Sequence, residues 1–206
     1  MPERIPPGRA GRLWLSARLD AAHRGRELLD RKRQLLRRDQ RRLALLADER
    51  RSAWETACAR AQQWSLRAGI LSGSGATALF AAPLAGRASI TVFWRNTMGV
   101  RHPDDARCAL PDLPPQTAAA GNAALAPAAA AYRDAVRAAV DAAVAATALR
   151  SIATELAATQ RRLRALERHR IPYLERSLRD LAFALEEHER EERVITRWAV
   201  RSREVQ

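Results

Sequence analysis

The chain has 206 residues, 47% hydrophobic but only 5% aromatic, and many of the apolar ones are alanine; this is helix-favouring material with little bulk for one wide core. Its formal net charge of +13 points to acidic partners, whether protein, nucleic acid or lipid. Cys58 and Cys108 have neither disulfide-framework nor ligand spacing, which excludes a stapled fold and fits a reducing compartment.

Residues 1–11, with Pro2, Pro6, Pro7, Gly8 and Gly11, read as a flexible N-terminus. Residues 12–67 read as a first long helix. Leu15, Ala22, Leu29, Leu36 and Leu43 fall every seven residues, and Leu28, Leu35 and Leu46 widen that stripe into a seam. At ~1.5 Å per residue such a helix would run roughly 84 Å, well beyond ordinary length. Residues 1–67 hold 17 basic and 8 acidic side chains, so this is the basic part of the chain. Arg37, Arg38, Arg41, Arg42, Arg50 and Arg51 alternate with leucines, which turns much of the charge away from the seam. The pattern serves either as a solvated face or as a surface for an acidic partner.

Residues 68–130 read as an insert. Its uncharged start, 68–86, is broken by Gly69, Gly73, Gly75 and Pro83, so no membrane span is expected there, and the N-terminus has no leader-like pattern. In Ser89–Trp94 the β-branched and aromatic content predicts a strand with Ile90, Val92 and Trp94 on one face. Asn96 and Gly99 predict a turn, giving a hairpin over about 88–102. From Asp104 to Pro127 proline and alanine predict a loop. Residues 131–206 read as a second long helix. Leu149, Ile152, Leu156, Thr159, Leu163 and Leu166 step by three and four, and Leu174, Leu178, Leu181, Leu185, His188 and Ile195 continue the stripe. Pro172 interrupts it and predicts a bend or phase shift. The fold class expected is all-α, a long antiparallel two-helix coiled coil formed by the terminal helices with a small β-hairpin insert.

Motifs for bond chemistry are missing from this pattern. Gly73-Ser74-Gly75 follows a predicted helix, whereas a dinucleotide loop follows a strand, and the sole lysine, Lys32, precedes Arg33 rather than Ser or Thr. His23, His102, His169 and His188 have no metal-ligand spacing. The acidic run Glu186–Glu192 interleaves with Arg190 and Arg193 as intrahelical pairs. No catalytic residue, cofactor or metal is therefore expected. Trp54 and Trp64 read as packing residues, Trp14 and Trp198 lie near the chain ends, and Trp94 is either the insert's core or a partner contact.

Three segments carry a family resemblance. Thr159-Gln160-Arg161-Arg162-Leu163-Arg164-Ala165-Leu166-Glu167, then Ile171-Pro172, then Leu185-Glu186-Glu187-His188-Glu189-Arg190-Glu191, resembles the Thr-Arg-Arg-Arg-Val-Asn-Ala-Leu-Glu, Ile-Pro and Leu-Glu-Glu-x-Glu-Arg-Glu motifs of the D subunits of V-type and A-type rotary ATPases. Leu28-Leu29-Asp30-Arg31-Lys32-Arg33 is similar to that family's Leu-Leu-Lys-x-Lys-Arg, and Asn96-Thr97-Met98-Gly99-Val100 to its Asn-Val-Met-Gly-Val. Arg164 stands where the family usually has asparagine, and Thr97 where it has valine. The resemblance implies a non-catalytic central-stalk subunit of an ATP synthase or ATPase, cytoplasmic and peripheral to the membrane. The implied partners are the catalytic and regulatory head subunits, the small F subunit of the stalk and the funnel-shaped subunit above the membrane ring. Arg161, Arg162, Leu166, Glu167, Trp94, Asn96, Met98, Gly99 and Val100 are the expected partner-binding residues. The charge by itself also suits a basic coiled coil on nucleic acid or an anionic membrane.

Overall fold

The computed structural model describes residues 5–73, 87–112 and 123–204. Helix α1 spans Gly8–Ser72, strands β1 and β2 span Ser89–Thr97 and Val100–Ala109, and helix α2 spans Leu125–Ala165. A π-helical turn, Leu166–Arg170, joins α2 to α3, Ile171–Glu204. The fold is all-α, with a two-stranded antiparallel hairpin between long N- and C-terminal helices.

The ends of these elements follow local chemistry, and several differ from the sequence-based boundaries. Residues 5–11 lie against the fold. Ile5 packs against the Leu15 cluster, and Gly11 lies so close to the Pro6 carbonyl that a Cβ there would sit 2.0 Å from its oxygen. Only glycine leaves room for that return of the chain, and α1 begins already at Gly8. At its other end Gly73 has φ +75° and donates its N–H to the Gly69 carbonyl at 2.8 Å. This is a left-handed glycine cap, so residues 68–72 belong to the helix. Ser74, Gly75 and the remainder of the glycine-rich stretch lie outside the described residues. Helix α2 starts at Leu125, ahead of the predicted 131, because Pro127 falls in its first turn, where no N–H is required.

The chain divides into two compact units, Met1–Gln34 with Ala157–Gln206, and Leu35–Leu156. In the first, Leu15, Ala22, Ile171 and Leu174 form a buried core, with Trp14, Leu19, Leu166, Leu178 and Leu181 packed around it. Arg9 meets Glu189 at 3.0 Å and Arg26 meets Glu167 at 2.8 Å, so numbers rise on one helix as they fall on the other. In the second unit Leu36 and Leu43 of α1 pack on Ala148, Ile152 and Leu156 of α2. Further along, Ala61 meets Ala131 and Ala135, and Ala68 meets Ala124 and Leu125. Small residues at these positions let the backbones approach closely, and Trp64 packs against both alanine clusters.

The seam is narrower than the leucine count suggests. Leu28 and Leu35 are 65% and 45% exposed, because each precedes a seam residue, Leu29 or Leu36, and the helix turns it about 100° away. His188 and Ile195 are also exposed. They lie at or beyond the level of the Arg9–Glu189 pair, where α1 has reached its first residues. Trp54, expected inside, is 39% exposed, and Trp198 is 73% exposed.

A fully buried leucine contributes about 1.5–3 kcal/mol by area alone, and its loss also leaves a cavity. Leu36→Ala should therefore lower stability by about 2–5 kcal/mol, and Leu163→Asp, which buries a carboxylate, should be at least as damaging. Leu28→Ala should stay within about 0.5 kcal/mol of the parent. Thermal unfolding followed by circular dichroism ranks the three. A Leu36→Ala variant that melts with the parent would mean that the seam is not buried.

Candidate functional site

Two regions hold the expected partner-binding residues, one in each unit. In the unit containing both chain ends, the Thr159–Glu167 motif closes α2 and enters the π turn. Leu163 is buried at 3% exposure, whereas Arg161, Arg162 and Arg164 are exposed on the same helix. Leu166 packs on the Leu15 cluster and Glu167 accepts the Arg26 Nε–H at 2.8 Å. Within the motif, therefore, Leu166 and Glu167 are engaged inside the chain, and the arginines project outward. The Thr159 hydroxyl is fully buried with no hydrogen-bond partner among the described residues, as is Nε of Arg33. Both are polar atoms in an otherwise apolar helix pair.

The π turn follows from the residue behind it. Ile171 donates its N–H to the Leu166 carbonyl, five residues back, so one extra residue is accommodated in the turn. Pro172 comes next and has no N–H to donate. A widened turn places the defect where proline would break the regular ladder in any case. The extra residue shifts the helical phase, and Ile171 and Leu174 return to the buried face.

In the other unit the hairpin is longer than predicted. Strand β2 runs to Ala109, so residues 104–109, expected to be loop, belong to the hairpin, and 105–109 pair with β1. Pro103 is tolerated because it pairs with Trp94 at a position whose N–H points away from the partner strand, and a bulge between Phe93 and Trp94 absorbs Asp104. Met98 and Gly99 form the two-residue turn with φ +52° and +82°, the pattern a type I′ turn requires. Residues 113–122 of the predicted loop lie outside the described residues.

One face of the hairpin is tied inward. Val100 packs against the Leu36 cluster. His102, 1% exposed, donates Nδ1–H to the Pro103 carbonyl at 2.9 Å and contacts Thr97 Oγ1 through Nε2 at 3.0 Å. Histidine spacing alone did not reveal this role; the strand register does, since Thr97 and His102 share a face. Pro103, Asp104 and Asp105 border a small cleft with Arg42, Leu43, Arg50 and Asp141, in which Arg50 approaches Asp141 at 3.5 Å. The opposite face carries Trp94, 53% exposed, with the Arg101 guanidinium 4.8 Å from its ring centre. Asn96, Met98 and Gly99 are exposed beside it. Trp94 is therefore an outward residue and not the insert's core.

Among the described residues no group of His, Cys, Asp or Glu is placed to hold a metal ion. Gly73 serves as a helix cap. No described helix is long and apolar enough to cross a membrane. Both regions present arginine and apolar side chains, the materials of protein contact.

Comparison with known proteins agrees with this architecture. The family model for the ATP synthase D subunit matches residues 13–200, which include both terminal helices and the hairpin. No curated protein matches the chain. The chain belongs to the ATP synthase D-subunit family, the non-catalytic central-stalk subunits of V- and A-type rotary ATPases.

Proposed function

We propose that this chain is the rotor shaft that transmits torque between the ATP-hydrolysing or ATP-synthesising head and the membrane ion-translocating ring. The observation that carries the reading is the family match over residues 13–200, falling on long terminal helices that pair antiparallel within each unit through leucine and alanine clusters. A shaft must resist twist. Two helices bound side by side resist it better than one, because twisting either would expose its buried stripe to water.

The exposed arginines of α1 suit a part that turns inside a bearing. Exposed charge contributes little at any single contact, so it can meet successive acidic positions without fixing one. The partners in this reading are the catalytic and regulatory head subunits, the small F subunit of the stalk and the funnel-shaped subunit above the ring. The chain is cytoplasmic and peripheral to the membrane, and it holds no nucleotide itself. Arg161 and Arg162, with Leu166 and Glu167 setting the helix behind them, form the contact for the small F subunit. Trp94, Asn96, Met98, Gly99 and Val100 form a second contact through the hairpin.

Calorimetric titration of the purified chain with ATP and magnesium should give no saturable tight binding, and saturation would place nucleotide chemistry here after all. Capture of ATPase subunits should persist as salt rises from about 50 to 200 mM, a range over which phosphate-held complexes lose orders of magnitude in affinity. DNA binding that outlasts subunit capture would favour the basic coiled-coil alternative.

The double variant Arg161→Glu, Arg162→Glu should keep the parent's helical melt, because both side chains are exposed, yet weaken capture of the small F subunit at least tenfold. Unchanged capture would remove these arginines from the interface.

A further inference from the structure

Among the described residues, strand β1 has no neighbour along its outer edge: the sheet has two strands, and β1 pairs with β2 alone. Strand β2 carries the inward anchors His102, Pro103 and Val100, whereas eight of the nine residues of β1 are exposed.

The register shows which backbone groups are open. The two-residue turn makes Thr97 and Val100 a hydrogen-bonded pair, and Arg95 and His102 form the next such pair. Asn96 and Trp94 fall at the intervening positions, where N–H and C=O point away from β2. Beside this open row lie Trp94, Val92 and Ile90, which are 53%, 36% and 54% exposed and share one face by the alternation of the strand.

Sheet edges are usually blunted by proline, lysine, inward charge or shortness. Strand β1 has nine residues with neither proline nor lysine; its one charged side chain, Arg95, lies on the His102 face and is paired with Asp104, and the bulge takes up the extra residue on the β2 side. The His102 contacts with Thr97 and Pro103 hold the hairpin in place, so the edge is formed before anything reaches it.

The surrounding charge indicates the sign of the occupant. Arg87 and Arg107 have no acidic partner among the described residues, Arg101 lies over the Trp94 ring, and Arg95 alone is answered, by Asp104 at 2.8 Å.

We propose that β1 receives an extended, acidic segment of another protein subunit, which adds to the sheet as a third strand. Its backbone takes the open N–H and C=O of Trp94 and Asn96. Its apolar residues cover Trp94, Val92 and Ile90, and its carboxylates meet Arg87, Arg101 and Arg107. This deepens the rotor reading and rests on it, since the segment belongs to another component of the same assembly.

The test uses the full chain and a complex reconstituted from ATPase head and stalk subunits. Amide exchange should be fast at Trp94 and Asn96 in the free chain and at least tenfold slower in the complex, while Arg95 and Thr97 are protected in both. Asn96→Pro removes an outward N–H and leaves the β2 ladder intact, as continued protection of Arg95 and Thr97 in the free variant would verify. It should weaken assembly at least tenfold relative to Asn96→Ala. Equal exchange at Trp94 and Asn96 in free and assembled parent, or equal assembly of the two variants, overturns the proposal and leaves the rotor reading standing. Concentration-dependent protection of the same amides in the free chain overturns it in favour of a second copy. A parent chain that recruits no ATPase subunit removes both readings together.

Discussion

Burial of one apolar stripe from α1 against one from α2 and α3 is the constraint on which the remaining structure depends. An isolated long helix is polar on most of its circumference and has little to hold it against water. Antiparallel pairing buries Leu15 and Leu174 together in one unit and Leu36, Leu43 and Ile152 together in the other, and leaves most charged residues outside. The composition of the stripe changes along α1. Leucine and isoleucine fill the contacts around Leu36 and Ile152, whereas alanine takes over around Ala61 and Ala68. Side-chain volume thus sets how closely the helices approach from place to place.

The same constraint explains the irregularities. Proline within a long helix would break the ladder and rotate the residues beyond it off the seam. The π turn before Pro172 adds a residue, and Ile171 and Leu174 stay buried. Ion pairs follow the pairing without driving it. Arg9–Glu189, Arg26–Glu167 and Arg50–Asp141 all have substantially exposed side chains, and such pairs are worth at most about 1 kcal/mol. Their value is directional, because each matches a residue of α1 to one residue of the returning helix.

The hairpin shows how a marginal element becomes stable by attachment. Two strands alone bury too little to hold in water. Here His102 and Val100 bind one face inward, so the other can carry exposed Ile90, Val92 and Trp94. The exposed arginines of α2 before the π turn have the same arrangement, standing on a helix whose buried side includes Leu163 and whose next residues, Leu166 and Glu167, are held within the chain.

Local spacing and backbone preference determined the helical class, the pairing of distant stripes, the strand character of Ser89–Trp94 and a turn marked by Asn96 and Gly99, whereas the strand register made Met98 and Gly99 its two central residues. The family resemblance lay in three separated motifs and was legible for the same reason. Tertiary structure decided everything that depends on register. Leu35 and Leu36 are adjacent leucines, and only the facing helix determines that Leu36 is the buried one. His102 has no neighbour in sequence that marks it, yet strand pairing sets it beside Thr97 and excludes water. The run from Asp104 reads as loop until a bulge shows how Pro103 can sit in a strand. Nothing in the sequence around Glu167 marks Arg26 as its ion-pair partner, and only the returning helix brings the two together. Local sequence reports what a residue prefers, and the partner across the seam or the ladder determines which side it must face.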